Sequence, residues 1–562
     1  MNAEQLLTHF DRIADAPDAI PRLRRFILEL AVRGKLVEQD PNDEPASELL
    51  KRIAAEKRRL VEAGEIKKQN DLPLVATCEA PFSVPDTWEW TRIGSAAYVE
   101  MGQSPPSEHY NRTGYGIPFF QGKADFGKRY PTARYWCTQP KKYAAPGDIL
   151  ISVRAPVGPT NIASEICCIG RGLAALRSHQ GTDRDYLLRC LESFELVLAA
   201  LGFGTTFVAI NKNQLASFVI PLPPLAEQHR IVAKVDELMV LCDRLETARK
   251  EREATRDRLA TASLARLNAP DPDSAVFQNH AAFALNNLTP LTTRPDQIKA
   301  LRQTILNLAV RGKLVEQDPE DEPAGEMLKR IAAEKGRLVK MGKMRDTKST
   351  VEALNEKFPP RLPLNWDAIT ISQIAHLRSG IALNHGEEQD TGDIPYLKVA
   401  DLSLVENDKG ILTSSRFVGR DRKDDVIESG SIVFPKRGGA IATNRKRRTH
   451  VNVVCDSNIM AMKPFAHETL PFLELWFNSF DLWKLNSGTS VPQINNKDIY
   501  PLPILLPPLA EQHRIVAKVD ELMAVCDRLE TSLAAGEETR GRLVEAVLRE
   551  VLESDRNRRS AS

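Results

Sequence analysis

The sequence predicts an α+β chain with a pseudo-two-fold internal repeat: two globular mixed α/β domains separated by long helices that form an antiparallel coiled coil. Three observations predict it. Residues 30–61 and 308–339 differ at four positions in thirty-two, and residues 223–247 and 507–531 at two in twenty-five. Between these blocks, residues 82–203 and 360–487 share little beyond a leading Trp88 or Trp366 and scattered apolar positions. The order is block A, variable domain, block B, given twice. Free drift after duplication erodes all segments at comparable rates. Near-identity beside near-complete divergence therefore suggests blocks that meet one partner surface twice and variable domains that meet different things.

Block A occupies the helical regions 1–80 and 298–357. Leu23, Ile27, Leu30 and Ala31 give the apolar side of a first helix, which Gly34 ends. DPNDEP then turns the chain, and Ala46 to Val61 makes a second amphipathic helix through Leu49, Leu50, Ile53 and Leu60. The variable domains, 81–221 and 358–505, have another texture. GDILISV from Gly147, SGSIVFP from Ser429 and VNVVC from Val451 alternate with Gly and Pro turns and predict strands. DYLLRCLESFELVLAAL from Asp185 and LPFLELWFNSFDLWKL from Leu470 predict packed helix.

Block B, 222–268 and 506–562, begins after Pro223-Pro224 and Pro507-Pro508, where a helix cannot extend backwards. Ile231, Val235, Leu238, Cys242 and Leu245 are spaced four, three, four and three, which is a heptad seam. Its copy is Ile515, Val519, Leu522, Cys526 and Leu529. One such helix per half predicts that the two pair as a spacer between the domains; the alternative is that each packs on its own domain. Cys242 and Cys526 read as small buried apolar residues. Residues 269–297, rich in Pro, Asn, Asp and Thr, read as a linker.

Charge and missing motifs narrow the function. Lys and Arg number 76 against 75 Asp and Glu, a net +1, which argues against a protein that coats nucleic acid by bulk charge. If DNA is the partner, positive charge is local or comes from another subunit. No run of eighteen apolar residues predicts a membrane span, and the N-terminus lacks a signal pattern. Eight cysteines without a CxxC pair predict no disulfide framework and no metal site, which fits a reducing cytoplasm. HExxH and GxSxG are absent, and so is the NPPY-like tetrapeptide of an amino-methyltransferase. GIPFFQGK (116–123) has its glycines one residue too far apart for a phosphate loop, and Glu65-Ile66-Lys67 has only the bare spacing of some nucleases. No catalytic residue is expected.

Base edges are read by Arg, Lys, Asn and Gln on strands or loops that enter a groove. The candidates are Gln103, Ser104, Lys123 and Arg154 in the first variable domain, and Lys398, Lys436, Arg437, Arg445, Lys446, Arg447 and Arg448 in the second. The last six lie within thirteen positions of FPKRGGAIATNRKRR, for which a solvated basic hairpin is the alternative.

PPLAEQHRIVAKVDELM, occurring twice and preceded by GTTFVAINKNQL or GTSVPQINNKDI, resembles the conserved segments of Type I restriction-modification specificity subunits. LAVRGKLVEQDPNDEPASELLKRIAAEK resembles the extended N-terminal and central conserved regions of one branch of that family. The likeness covers the whole chain. It implies that each variable domain is a target recognition domain reading one half of a bipartite double-stranded DNA site. It also implies that two methyltransferase subunits dock on the block surfaces and that restriction subunits join them. S-adenosylmethionine, ATP and Mg would then sit on those partners, and none on this chain. Family positions carry over to Gly204, Thr205, Ile210 and Asn211, and to Gly488, Thr489, Ile494 and Asn495, as closure of each domain against its helix. The half-sites should lie about one helical turn apart. A stand-alone two-domain DNA-binding regulator and a non-DNA coiled-coil scaffold are the competing readings.

Overall fold

The computed structural model describes residues 16, 18–64, 72–202, 209–269, 274–342, 344, 362–384, 386–487 and 491–553. The chain divides into two compact units. The first comprises Met1–Glu253 with Gly536–Ser562, and the second Ala254–Ala535.

In the first unit, block A folds into α1 (Ala19–Val32) and α2 (Ala46–Glu62). Gly34 ends α1 as expected. Its φ of +65° suits glycine, and a Cβ there would meet Pro85 Cγ at 2.5 Å. The variable domain opens with β1 (Glu89–Arg92) and ends with β8 (Val219–Leu222), and these two strands pair antiparallel, Glu89 opposite Leu222. Between them a four-stranded antiparallel sheet runs β2 (Ala97–Met101), β7 (Leu173–Ser178), β4 (Ile149–Ser152), β5 (Thr160–Ile162). A second sheet includes the parallel pair β3 (Ile117–Phe120) and β6 (Cys167–Ile169). Helix α3 (Arg184–Ser193) buries Leu187, Leu188 and Leu191, and the short α4 (Lys212–Ser217) precedes β8. The long helix α5 (Leu225–Asn268) follows and passes into the second unit from Ala254 on.

The second unit repeats the plan. Block A gives α6 (Pro295–Ala309) and α7 (Ala324–Lys340). Strands β9 (Asp367–Thr370) and β16 (Pro503–Leu506) pair with Asp367 opposite Leu506. The main sheet is β10 (Ala375–Ser379), β15 (Ile459–Pro464), β12 (Ile432–Pro435), β13 (Arg447–Arg448). Strands β11 (Ile394–Leu397) and β14 (Val454–Cys455) form the parallel pair. Helices α8 (Leu470–Asn478) and α9 (Asn496–Ile499) lead to the long α10 (Leu509–Glu553), of which the part from Gly536 belongs to the first unit. Each variable domain is thus inserted between two neighbouring strands, so its sequence can change while its ends stay fixed.

The seam packs mainly within each unit. Ile231, Val235, Leu238 and Cys242 are buried, with Leu245 beside them, against Ile20, Ile27, Leu28 and Ala31 of α1, together with Trp88 and Tyr186. In the second unit Ile515, Val519 and Cys526 are buried in a core containing Ile298, Leu301, Ile305 and Ala309 of α6, with Leu522 and Leu529 partly buried against it. The heptad stripe is covered largely by the block A helix of the same unit and by the variable domain, and in the second unit Leu264 of α5 joins the same core. Apolar periodicity states that a face is covered and is silent on what covers it. The buried thiols of Cys242 and Cys526 have raised pKa values through desolvation, as small core residues should.

The linker is partly helical. Within 269–297, Ser274–Asn286 forms a helix, and Leu288–Leu291 forms a short helical turn. Ala284 is buried, and Lys313 lies 4.9 Å from the Phe277 ring centroid. The Pro- and Asn-rich ends of this segment concealed its helix-forming centre.

The blocks repeat several polar contacts in both units. Trp88 Nε1 donates to Glu227 Oε2 at 2.9 Å, and Trp366 Nε1 donates to Glu511 Oε2 at 2.8 Å. Arg230 pairs with Asp43 and Arg514 with Asp321, each at 2.6 Å. Arg24 bridges Asp243 and Glu246, and Arg302 bridges Asp527 and Glu530, at 2.7 and 2.9 Å in both cases. Much of the repeat identity therefore serves internal packing. Burial raises the carboxyl pKa of Glu227 and of Glu511. Removing either carboxyl by Glu227→Ala or Glu511→Ala leaves a buried Trp N–H unpaired and should cost about 1–3 kcal/mol. Denaturant unfolding checks this, and Gln, which still accepts from the indole, should recover most of the loss.

Candidate nucleic-acid interface

The two variable domains present one arginine at the same register. After β4 the chain runs on through Val153, whose carbonyl accepts the Ile210 N–H at 3.0 Å, and Arg154 bridges Ala209. After β12 the Lys436 carbonyl accepts the Ile494 N–H at 2.9 Å, and Arg437 bridges Gln493. Arg154 and Arg437 are both exposed, and neither ion-pairs with a carboxylate among the described residues. Unpaired guanidinium forks held on strand ends suit contact with phosphate or with a base edge.

The motif residues brace this position. Ile210 and Ile494 are buried. The Asn211 side chain accepts the Gln214 N–H at 2.9 Å and caps α4 in a reciprocal box. At the matching place the Asn495 N–H donates to Asp498 Oδ2 at 2.7 Å. These contacts agree with the structural role expected for the four residues. Gly204, Thr205, Gly488 and Thr489 lie outside the described residues, as do Glu65, Ile66 and Lys67.

The remaining candidates separate. Gln103 follows β2 by two residues, is exposed and donates its backbone N–H to Ile169 O at 2.9 Å. Ser104 Oγ accepts the Arg171 N–H at 3.2 Å, and Lys123 is exposed on the turn after β3. In the second domain Lys436 is half-buried, and desolvation lowers its pKa. Arg445 and Arg448 are half-buried with no ion pair among the described residues. Lys398 is held by Glu388 at 2.6 Å, and Arg447 faces Asp408 at 3.5 Å, so both charges are partly spent within the domain.

Lys446 is corrected outright. It is 5% exposed, and its Nζ donates to Phe480 O at 2.6 Å and to Asn444 Oδ1 at 3.0 Å, 5.0 Å from the centre of the Phe477 ring. Its ammonium turns inward to the Phe480 carbonyl just before β13, which a run of basic letters cannot reveal. Arg171 and Lys212 were missed. Arg171 is exposed between Gly170 and Gly172, and Lys212 is the first residue of α4; both line the groove that Arg154 borders. A glycine-flanked arginine was the available signal.

No helix among the described residues is long and apolar enough to cross a membrane. Nor does any cluster of three or more His, Cys, Asp or Glu among them have the arrangement of a metal site.

The fold is a doubled unit whose variable domains each carry, at one register on a repeated frame, an arginine without a carboxylate partner among the described residues. The family described as Type I restriction modification DNA specificity domain matches twice, at residues 85–255 and 363–535, and this chain belongs to it. The chain is 33% identical over 552 residues to the Type I restriction enzyme EcoAI specificity subunit of Escherichia coli, covering 94% of this chain and 93% of that one. It is 31% identical to the EcoEI specificity subunit of Escherichia coli, with the same coverage of each chain. Among solved structures, the HsdS subunit from Thermoanaerobacter tengcongensis is 40% identical over 41% of this chain and 50% of that one, with a TM-score of 0.28.

Burial holds the Lys446 pKa down at about 7 against an ordinary 10.5. The unfolded chain therefore carries a proton that the folded one has shed between those values, and stability should rise as pH climbs through that window. Urea unfolding across this range checks it: Lys446→Met should abolish the contribution, and an unchanged slope would count against it.

Proposed function

We propose that this chain is the DNA sequence-specificity subunit of a Type I restriction-modification complex and carries no catalytic group itself. Each variable domain reads one half of a split double-stranded DNA target. The observation that carries the reading is the register-matched pair Arg154 and Arg437, presented by domains of different sequence on frames of nearly identical sequence. Such a frame keeps the reading position constant while the surrounding side chains, and hence the bases preferred, are free to differ.

The block helices set the gap between half-sites, about one helical turn, and dock one methyltransferase subunit per copy. Two observations within the units support a spacer role for the ends of the long helices. In the first unit Val544 of α10 is buried with Ala16 and Ala19, and Arg249 of α5 donates to Ala16 O at 3.1 Å. In the second unit Leu264 of α5 packs against the core that Leu529 and Leu533 of α10 also join. The exposed residues that α2 and α7 share, Glu48, Lys51, Arg52 and Arg59 with their copies Glu326, Lys329, Arg330 and Arg337, offer one chemistry twice, as two copies of a single partner require. S-adenosylmethionine, ATP and Mg belong to the methyltransferase and restriction subunits in this reading, and adenine N6 is the methylated atom.

Purification of the chain with its methyltransferase subunits, followed by mapping of methylated adenines, tests the proposal. A split asymmetric motif is expected. Tight sequence-specific binding by the isolated chain would favour a stand-alone regulator, and no DNA binding even in the complex would favour a scaffold. Arg154→Ala should relax preference at one half-site only and Arg437→Ala at the other, each by about 1–3 kcal/mol in discrimination. Competition binding with single-base variants of the site measures this, and relaxation of both halves by one substitution would refute independent reading.

A further inference from the structure

The groove beside Arg154 in the first variable domain has a volume of about 680 Å³ and is lined by Arg154, Arg171 and Lys212 without a carboxylate. Its floor depends on close backbone approach. A Cβ at Gly102 would meet Gly170 O at 2.2 Å, and one at Gly172 would meet Gln121 O at 2.2 Å. None of the three cations has a carboxylate partner among the described residues, whereas Arg134 and Arg177 of the same domain are paired with Asp125 and Asp148. Three like charges left unneutralised around one groove repel each other unless an anion enters it.

The second domain lacks this arrangement. Gly102 donates to Leu173 O and Gly380 to Ile459 O, which aligns β7 with β15 and places Ser457 where the first domain has Arg171. The capping asparagines Asn211 and Asn495 likewise place Asn496 where the first has Lys212. Only the arginine at the strand end is common to both. A groove elsewhere in the second domain, of about 830 Å³ and not bordered by Arg437, is lined by Asp393 and Glu428 beside Lys423 and His450.

We infer that Arg171 and Lys212 form a phosphate-anchoring subsite peculiar to the first variable domain, which seats a DNA backbone phosphate next to the base that Arg154 reads. The inference rests on the DNA-reading function proposed above. Arg171 and Lys212 act as anchors: they fix the strand and supply salt-dependent affinity, and they do not select the base.

The test uses the full chain in complex with its methyltransferase subunits, bound to a duplex carrying the mapped target, with affinity measured over a range of salt concentrations. Arg171→Ala combined with Lys212→Ala should lower the slope of log affinity against log salt by about two, with base preference at both half-sites retained. Arg171→Lys combined with Lys212→Arg should keep the slope, because it keeps both charges. If the unaltered complex binds a split site and the alanine pair leaves the slope unchanged, the anchoring subsite is wrong while the specificity function stands. Altered base preference in the alanine pair, or a slope lost equally in the charge-keeping pair, also overturns it. A complex that binds no specific DNA overturns both readings.

Discussion

The buried hydrogen bond from a tryptophan N–H to a glutamate in the first turn of the long helix recurs in each unit, and the rest of the frame is organised around it. Trp88 stands just before the first strand of its variable domain, and Glu227 stands just inside the long helix that leaves the domain. The bond therefore ties the way in to the way out, as Trp366 and Glu511 do in the second unit. A carboxylate out of water is costly unless it is fully engaged. Glu227 also accepts from Gln39 at 2.6 Å, which brings block A to the same point. Three segments distant in sequence thus converge on one side chain.

That convergence explains how such divergent domains can be carried on such uniform blocks. The paired strands β1 with β8, and β9 with β16, bring the two ends of each variable domain side by side. Whatever lies between must only return to its starting point. The two domains keep the same hydrogen-bond register at the strand end that carries Arg154 or Arg437, although most of their side chains differ. Backbone geometry is shared at the strand end that carries the arginine, and the side chains around it differ.

The near-neutral net charge acquires a physical meaning in this setting. Most arginines of the blocks are neutralised internally, by Asp43, Asp243, Asp321 and Asp527 among others. Arg154, Arg171 and Arg437 of the variable domains have no carboxylate partner among the described residues. A chain that spends its charge on its own scaffold and leaves a few guanidinium groups unpaired would bind nucleic acid weakly by bulk attraction, and its discrimination would rest on those few groups.

The doubling, the block boundaries, the Gly34 helix stop, the α1 and α2 helices and the strand-rich texture of the variable domains were legible in the sequence, because each rests on local periodicity or on comparison of the chain with itself. Arg154 and Arg437 were legible as exposed-looking basic residues near strand ends. Their equivalence was not, since it depends on bridges to Ala209 and Gln493 more than fifty residues away. What covered the heptad seam, which basic residue of the 436–448 run pointed inward, and which cations gathered around one groove were decided only by tertiary structure. Periodicity records that a face is buried, and composition records that charge is present. The identity of the neighbour that buries the one or neutralises the other comes from chain segments that only the fold brings together.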